Sequence, residues 1–207
     1  MGRSAVIVAA GKSFDPQLLP RIWEHGDVLA INYAGYPIHD AGLRPTYYLN
    51  WDRPDRFSLD LHRDPQVRSI IQADYEPIAK ANGFRNWVGV RLAKRKIKPE
   101  VNPFTRPVYV RPYKSILVAT QFLVRCAYTT IFYWGCDFIP DRDRWYSMSS
   151  APLNDKVFSA KVNSNEEQLA MLRRWHPFAA DMNCEWISLS AISRLNEFMT
   201  YRPIIGA

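Results

Sequence analysis

Residues 4–16 read SAVIVAAGKSFDP: an apolar run that ends in small residues, then a turn, then the start of a helix. Ser4 to Ala9 has the length and β-branched content of a strand buried on both faces. Ala10-Gly11-Lys12-Ser13 follows as a tight connection. Asp15 before Pro16 is the N-cap and first-turn proline of a helix, and Leu18, Leu19, Ile22 and Trp23 then recur at helical spacing until Gly26. The pattern repeats outward. Asp27 to Asn32 (DVLAIN) is a second buried strand, and Thr46 to Asn50 (TYYLN) a third, ending in Trp51-Asp52. Strands of this kind alternating with helices imply an α/β fold with a mostly parallel, twisted, Rossmann-like sheet flanked by helices.

The rest of the chain extends that frame. Residues 55–74 alternate charged and apolar positions, and the spacing predicts a helix from about Pro65 to Ala73. Asn86 to Leu92 (NWVGVRL) reads as a strand. Arg91 to Lys98 (RLAKRKIK) is a basic cluster with no acid inside it, followed by prolines up to Pro112. Ser115 to Tyr128 (SILVATQFLVRCAY) is apolar nearly all round, as a helix in the middle of a domain is. Thr130 to Gly135 (TIFYWG) is the next strand, ending at Cys136-Asp137-Phe138. Ile139 to Ala160 is polar without periodicity and reads as a lid. Asn165 to Met182 is an amphipathic helix, Glu185 to Leu189 (EWISL) a last strand, and Ser193 to Met199 a short helix. No internal repeat is present, and 207 residues are enough for one sizeable core. The expectation is a single domain over 1–207 with its lid at 139–160.

Composition narrows the classes. No run of about twenty apolar residues offers a membrane span, and the apolar part of MGRSAVIVAAGKSF is short for a signal peptide. Cys126, Cys136 and Cys184 are far apart and odd in number, which suits buried thiols in a reducing cytoplasm better than zinc or a disulfide framework. A net charge of +7 favours a phosphorylated or polyanionic partner.

Ligands of open parallel sheets bind beyond the carboxyl ends of the strands, so the residues there carry the functional argument. Gly11, Lys12 and Ser13 follow the first strand: glycine permits a tight turn, backbone N–H groups can hold phosphate, and Lys12 adds charge. The spacing is not that of a P-loop. Asn32, Asn50, Asp52 and Asp137 end or follow other strands. Asparagine offers donor and acceptor together and can read a base edge or ribose. Asp52 and Asp137 suit a general base or a divalent-metal ligand, with loop orientation as the structural alternative.

The pieces VIVAAGKSFDPQLLP, GDVLAIN and PTYYLNWD resemble the opening of the bacterial sialyltransferase-like superfamily, where a G-x-G-P-S loop precedes a strand ending in Asn. SILVATQFLVRCAYTTIFYWGCDF is similar to its S-G-x-x-A-x-x-A helix and x-I-x-L-x-G-x-D-F strand, and EWISLSAISRLNEF resembles its closing unit. Related folds include a domain of flagellin-modifying accessory factors and archaeal pterin pyrophosphokinases. The resemblance implies a glycosyltransferase with a nucleotide-sugar donor, CMP-linked or another. Gly11 and Ser13 would lie at the donor phosphate, Asn32 and Asn50 at the nucleotide, and Ser115 at the facing helix start. Tyr146, with Arg142 and Arg144, would meet phosphate. Three positions depart from the pattern: Lys12 replaces the proline, Ile116 replaces the glycine after the serine, and Lys161-Val162-Asn163 occupy the place of the catalytic histidine. The alternatives are a Mg-dependent pyrophosphokinase-like enzyme on the same fold and a nucleic-acid-binding or -modifying protein that uses the loop 91–98. The acceptor is open, with DNA or another polyanion as one case.

Overall fold

The computed structural model describes residues 2–56, 59–91, 93, 100–106, 109, 114–139 and 155–204. The strands are β1 (Arg3–Val8), β2 (Asp27–Ile31), β3 (Tyr47–Leu49), β4 (Arg68–Gln72), β5 (Trp87–Val90), β6 (Tyr128–Trp134), β7 (Glu185–Ser188) and β8 (Thr200–Tyr201). They form one eight-stranded sheet in the order β5-β4-β3-β2-β1-β6-β7-β8, and every adjoining pair is parallel. The expected Rossmann-like α/β frame is therefore present. The chain builds outward from β1 as far as β5, then crosses back and adds β6 to the other edge of β1. Ala5 pairs with Asp27 of β2 on one side and with Ile131 of β6 on the other.

Helices cover both faces: α1 (Leu19–Ile22), α2 (Gly35–Asp40), α3 (Leu59–Arg63), α4 (Glu76–Ala81), α5 (Ser115–Arg125) and α6 (Asp155–Ala180). Side chains alternate across a strand, so β1 feeds two cores. Ala5 and Ile7 pack with Leu117 and Leu123 of α5 and with Leu169, Leu172 and Trp175 of α6. Val6 and Val8 pack with Leu19 and Ile22 of α1 and Ile38 of α2. Each fully buried aliphatic side chain contributes about 1.5–3 kcal/mol. The helix before β2 starts as its sequence indicates, with the Asp15 side chain accepting from the Gln17 amide and Pro16 in the first turn.

Three boundaries differ from expectation. The helix expected from Pro65 to Ala73 is instead β4, preceded by the shorter α3. Ser69, Ile70 and Ile71 are all fully buried between β3 and β5, and a run this short carries no periodicity that separates strand from helix. The helix from Ser115 stops at Arg125; Ala127 turns left-handed with φ 60°, and Tyr128 opens β6. α6 begins at Asp155, so residues 155–160 of the expected lid belong to a helix. Residues 140–154 of that lid, with Arg142, Arg144 and Tyr146, lie outside the described residues, as do Lys94, Arg95, Lys96 and Lys98 of the basic loop.

Among the described residues no helix is long and apolar enough to cross a membrane. Cys136 and Cys184 are buried, Cys126 is half-buried, and none is in a disulfide. His176, half-buried, packs on Trp186 and Phe198.

His62 on α3 is a histidine with no exposure in this frame. Its ring stacks on Phe84 at 4.3 Å between centroids and leans on Tyr48 at 4.6 Å. Nδ1 lies 2.7 Å from Ser69 Oγ, while Nε2 has no hydrogen-bond partner among the described residues. Burial pushes its pKa from 6.5 down to about 3. The unfolded chain therefore takes up a proton below about pH 6.5 that the fold refuses, and stability falls as pH is lowered through the window from 6.5 to 3. Urea unfolding across that window should show a loss with a limiting slope of about 1.4 kcal/mol per pH unit from this group. His62→Phe should flatten that part of the profile.

Candidate functional site

The sheet changes its building direction at β1, and the crevice of such a fold opens beyond the carboxyl ends of β1 and its neighbours. Two clusters of polar residues stand there. The first joins the loop after β1 to the end of β6. Ala9 N–H donates to the Trp134 carbonyl at 2.9 Å, and Gly11 N–H to the Gly135 carbonyl at 2.8 Å. The strand pairing thus continues one step past β1 before the chain turns. Ser13 then donates twice to Asp137, from its backbone N–H to Oδ2 and from Oγ to Oδ1, each at 2.6 Å. From the opposite side Ser190, in the loop after β7, donates its hydroxyl to Oδ1 at 2.8 Å. The Asp137 carbonyl accepts from Arg194 N–H at 3.0 Å, and Ser193 Oγ donates to the Cys136 carbonyl at 2.8 Å. Asp137 is 3% exposed. The end of β6 curls to present it, with Gly135 at φ 67° and Phe138 at φ 57° on either side.

The second cluster joins the ends of β2 and β3 to the start of α5. Asn32 sits at φ 47°, a left-handed conformation that asparagine tolerates better than most residues. Its Nδ2 donates to Ser115 Oγ at 3.1 Å, its Oδ1 accepts from Trp51 N–H at 3.4 Å, and its carbonyl accepts from Tyr48 OH at 2.9 Å. One residue so ties three elements together. Gly35 allows the turn after Asn32 to sit directly on the Tyr48 ring, where a Cβ would lie 2.6 Å from Cε2. Gln72, at the end of β4, donates to the Trp51 carbonyl.

Next to Trp51 stands Asn50, 0% exposed. Its backbone N–H pairs with the Ile70 carbonyl, but among the described residues neither Oδ1 nor Nδ2 has a hydrogen-bond partner. Lys12 and Asp52 are exposed. The structure thus brings Gly11, Ser13 and Asp137 into one cluster and Asn32, Ser115 and the backbone beside Asn50 into another, on adjacent strands. It leaves Asp52 on the surface beyond them, and Tyr146 is outside the described residues. Among the described residues no group of three His, Cys, Asp or Glu side chains gathers as a metal site.

Sequence reasoning passed over Ser190 and Gln72. Ser190 is the first residue beyond the expected strand EWISL, so the strand-end rule that singled out Asn32 would have found it. Gln72 was hidden because its strand was read as a helix.

No family model matches the chain, and no curated protein matches it. Among solved structures it is similar to the MAf glycosyltransferase from Magnetospirillum magneticum AMB-1. The TM-score is 0.61 at 12% identity, over 98% of this chain and 33% of that one. The chain thus spans about a third of the length of that glycosyltransferase, and what the two share is the fold. The likeness reaches a fold used by a glycosyltransferase; it does not single out the sialyltransferase-like superfamily.

The close approach of Gly11 to β6 generates a prediction. A Cβ at Gly11 would stand 2.2 Å from the Gly135 carbonyl oxygen and 2.7 Å from Asp137 Oδ2. Backbone must move to admit it, so Gly11→Ala should cost about 1–3 kcal/mol, the range of overpacking. Urea unfolding of the variant beside the parent measures this; an unchanged midpoint would mean that the loop after β1 is free to shift.

Proposed function

We propose that the chain binds a nucleotide-activated sugar across the carboxyl ends of β1, β2, β3 and β6 and transfers the sugar to an acceptor hydroxyl. Asn50 carries this reading. A buried amide with both polar atoms unbonded costs free energy in the empty fold, and such groups in native structures call for an explanation. A ligand with a neighbouring donor and acceptor, such as a pyrimidine edge or a ribose, supplies both missing partners at once. The position of Asn50 at the carboxyl end of β3, two strands from β1, and the shared fold with a chain named a glycosyltransferase, support the same reading.

The chemistry asked of the site is modest. The bond between the anomeric carbon and a phosphate oxygen breaks, the acceptor oxygen bonds to that carbon, and the acceptor proton passes to a base. Positioning the two reactants and stabilising the departing phosphate supply most of the acceleration. In the loop Gly11–Ser13 the Gly11 and Ser13 N–H groups are taken by Gly135 and Asp137, which leaves the Lys12 N–H and the exposed Lys12 ammonium for the phosphate. Asn32 and Ser115 fix the wall against which the nucleoside lies. Asp52, exposed two residues beyond Asn50, is the base proposed for an incoming acceptor, and Tyr146, outside the described residues, is proposed as a second phosphate contact from its sequence alone.

Calorimetric titration with CMP, UDP, GDP and ATP, with and without Mg²⁺, tests the reading and separates a sugar-nucleotide enzyme from a Mg-dependent kinase-like one. The decisive variant is Asn50→Leu, which keeps the shape and removes the two unbonded atoms. It should leave the melting temperature equal to or above that of the parent. It should also weaken nucleotide binding roughly tenfold or more, since hydrogen bonds to the ligand are lost. A lower melting temperature with unchanged binding would make the amide a structural group.

A further inference from the structure

We propose that Asp137 is a positioning residue rather than the base, and that Ser190 acts through it to hold the loop after β1 in its phosphate-receiving form. The proposal rests on the nucleotide reading above. A carboxylate has about four lone-pair positions, and three of those on Asp137 are filled by Ser13 N–H, Ser13 Oγ and Ser190 Oγ. With the side chain 3% exposed, little of it is left to take a proton from an acceptor. What the carboxylate does is join two loops that arrive from opposite sides of β6. The joint is strong, because hydrogen bonds to an ionised acceptor are about twice as strong as neutral ones.

The loop that it holds is the one that presents Lys12, its N–H and its ammonium, between the bonded Gly11 and Ser13. Gly11 is pinned to the Gly135 carbonyl on one side of Ser13, and the Phe14 ring lies 4.8 Å from that of Trp134 on the other. Between these anchors the conformation of Ser13 is set by Asp137. The orientation of Asp137 is set in turn by Ser190, whose loop is fastened at Ser193 and Arg194 to the end of β6. The Ser190 hydroxyl therefore reaches the loop after β1 through the carboxylate. A phosphate that needs the held loop pays for any fraction of time the loop spends elsewhere.

The test uses the full chain. Nucleoside phosphates and inorganic pyrophosphate are titrated into the parent, Ser190→Ala, Ser190→Thr and Ser13→Ala, and amide hydrogen exchange is followed at residues 11–13. Ser190→Ala should weaken nucleoside phosphates and pyrophosphate alike, roughly tenfold, speed exchange at residues 11–13, and keep the circular dichroism of the parent. Ser190→Thr, which retains the hydroxyl, should restore both. Parent-like affinity and exchange in Ser190→Ala would overturn the proposal. If the parent binds no nucleoside phosphate, the nucleotide reading fails. The exchange rates then decide the latch: faster exchange in Ser190→Ala supports it, and equal rates overturn it.

Discussion

β1 is hydrogen-bonded along both edges and buried on both faces, and the rest of the molecule is arranged around those two facts. Its partner β2 is the next strand in the chain, whereas β6 comes from far along it, so the second edge of β1 is paired only when the crossing helix α5 carries the chain back over β1. That crossing leaves a crevice at the carboxyl end, because the loops after β1 and β6 must diverge. The stability of the centre and the location of the site thus have one cause. Ala5, Val6, Ile7 and Val8, all fully buried, secure the sheet; the turn that follows them at once enters the candidate site.

The polar clusters beyond the strands show how such a crevice is kept open and ordered. Buried polar groups must find partners, and here most of them find each other across elements: Ser13 and Ser190 on Asp137, Asn32 on Ser115 and Trp51. Asn50 departs from this economy. Asp137, with three bonds accepted, and the Asn50 side chain, with none among the described residues, stand at the two extremes of these clusters.

The strands with clear boundaries were legible in the sequence. DVLAIN, TYYLN, TIFYWG and EWISL are apolar runs flanked by turn residues, and each became a strand at nearly its expected place. The signal failed at RSIIQ, where charge and apolar residues alternate on both sides and only pairing with β3 and β5 decides the conformation. It also failed at the start of α6, where Val157 and Phe158 group with the polar stretch before them. For the site, strand ends pointed to Asn32, Asn50 and Asp137, but partners could not be read. That Asp137 would meet Ser13 and Ser190 depends on three loops from three parts of the chain. That the Asn50 amide would find no partner among the described residues depends on the same three-dimensional arrangement.

β8 has a consequence for the behaviour of the protein at high concentration. The edge of a sheet exposes a row of unpaired backbone groups that can recruit another chain. On this side the edge is only Thr200–Tyr201. Arg202, ion-paired to Glu185, puts charge beside it, and Pro203 has no N–H to extend the ladder. An incoming strand would find too few donors and acceptors to dock in register. The sheet therefore ends in a blunt margin that resists growth into larger β-aggregates.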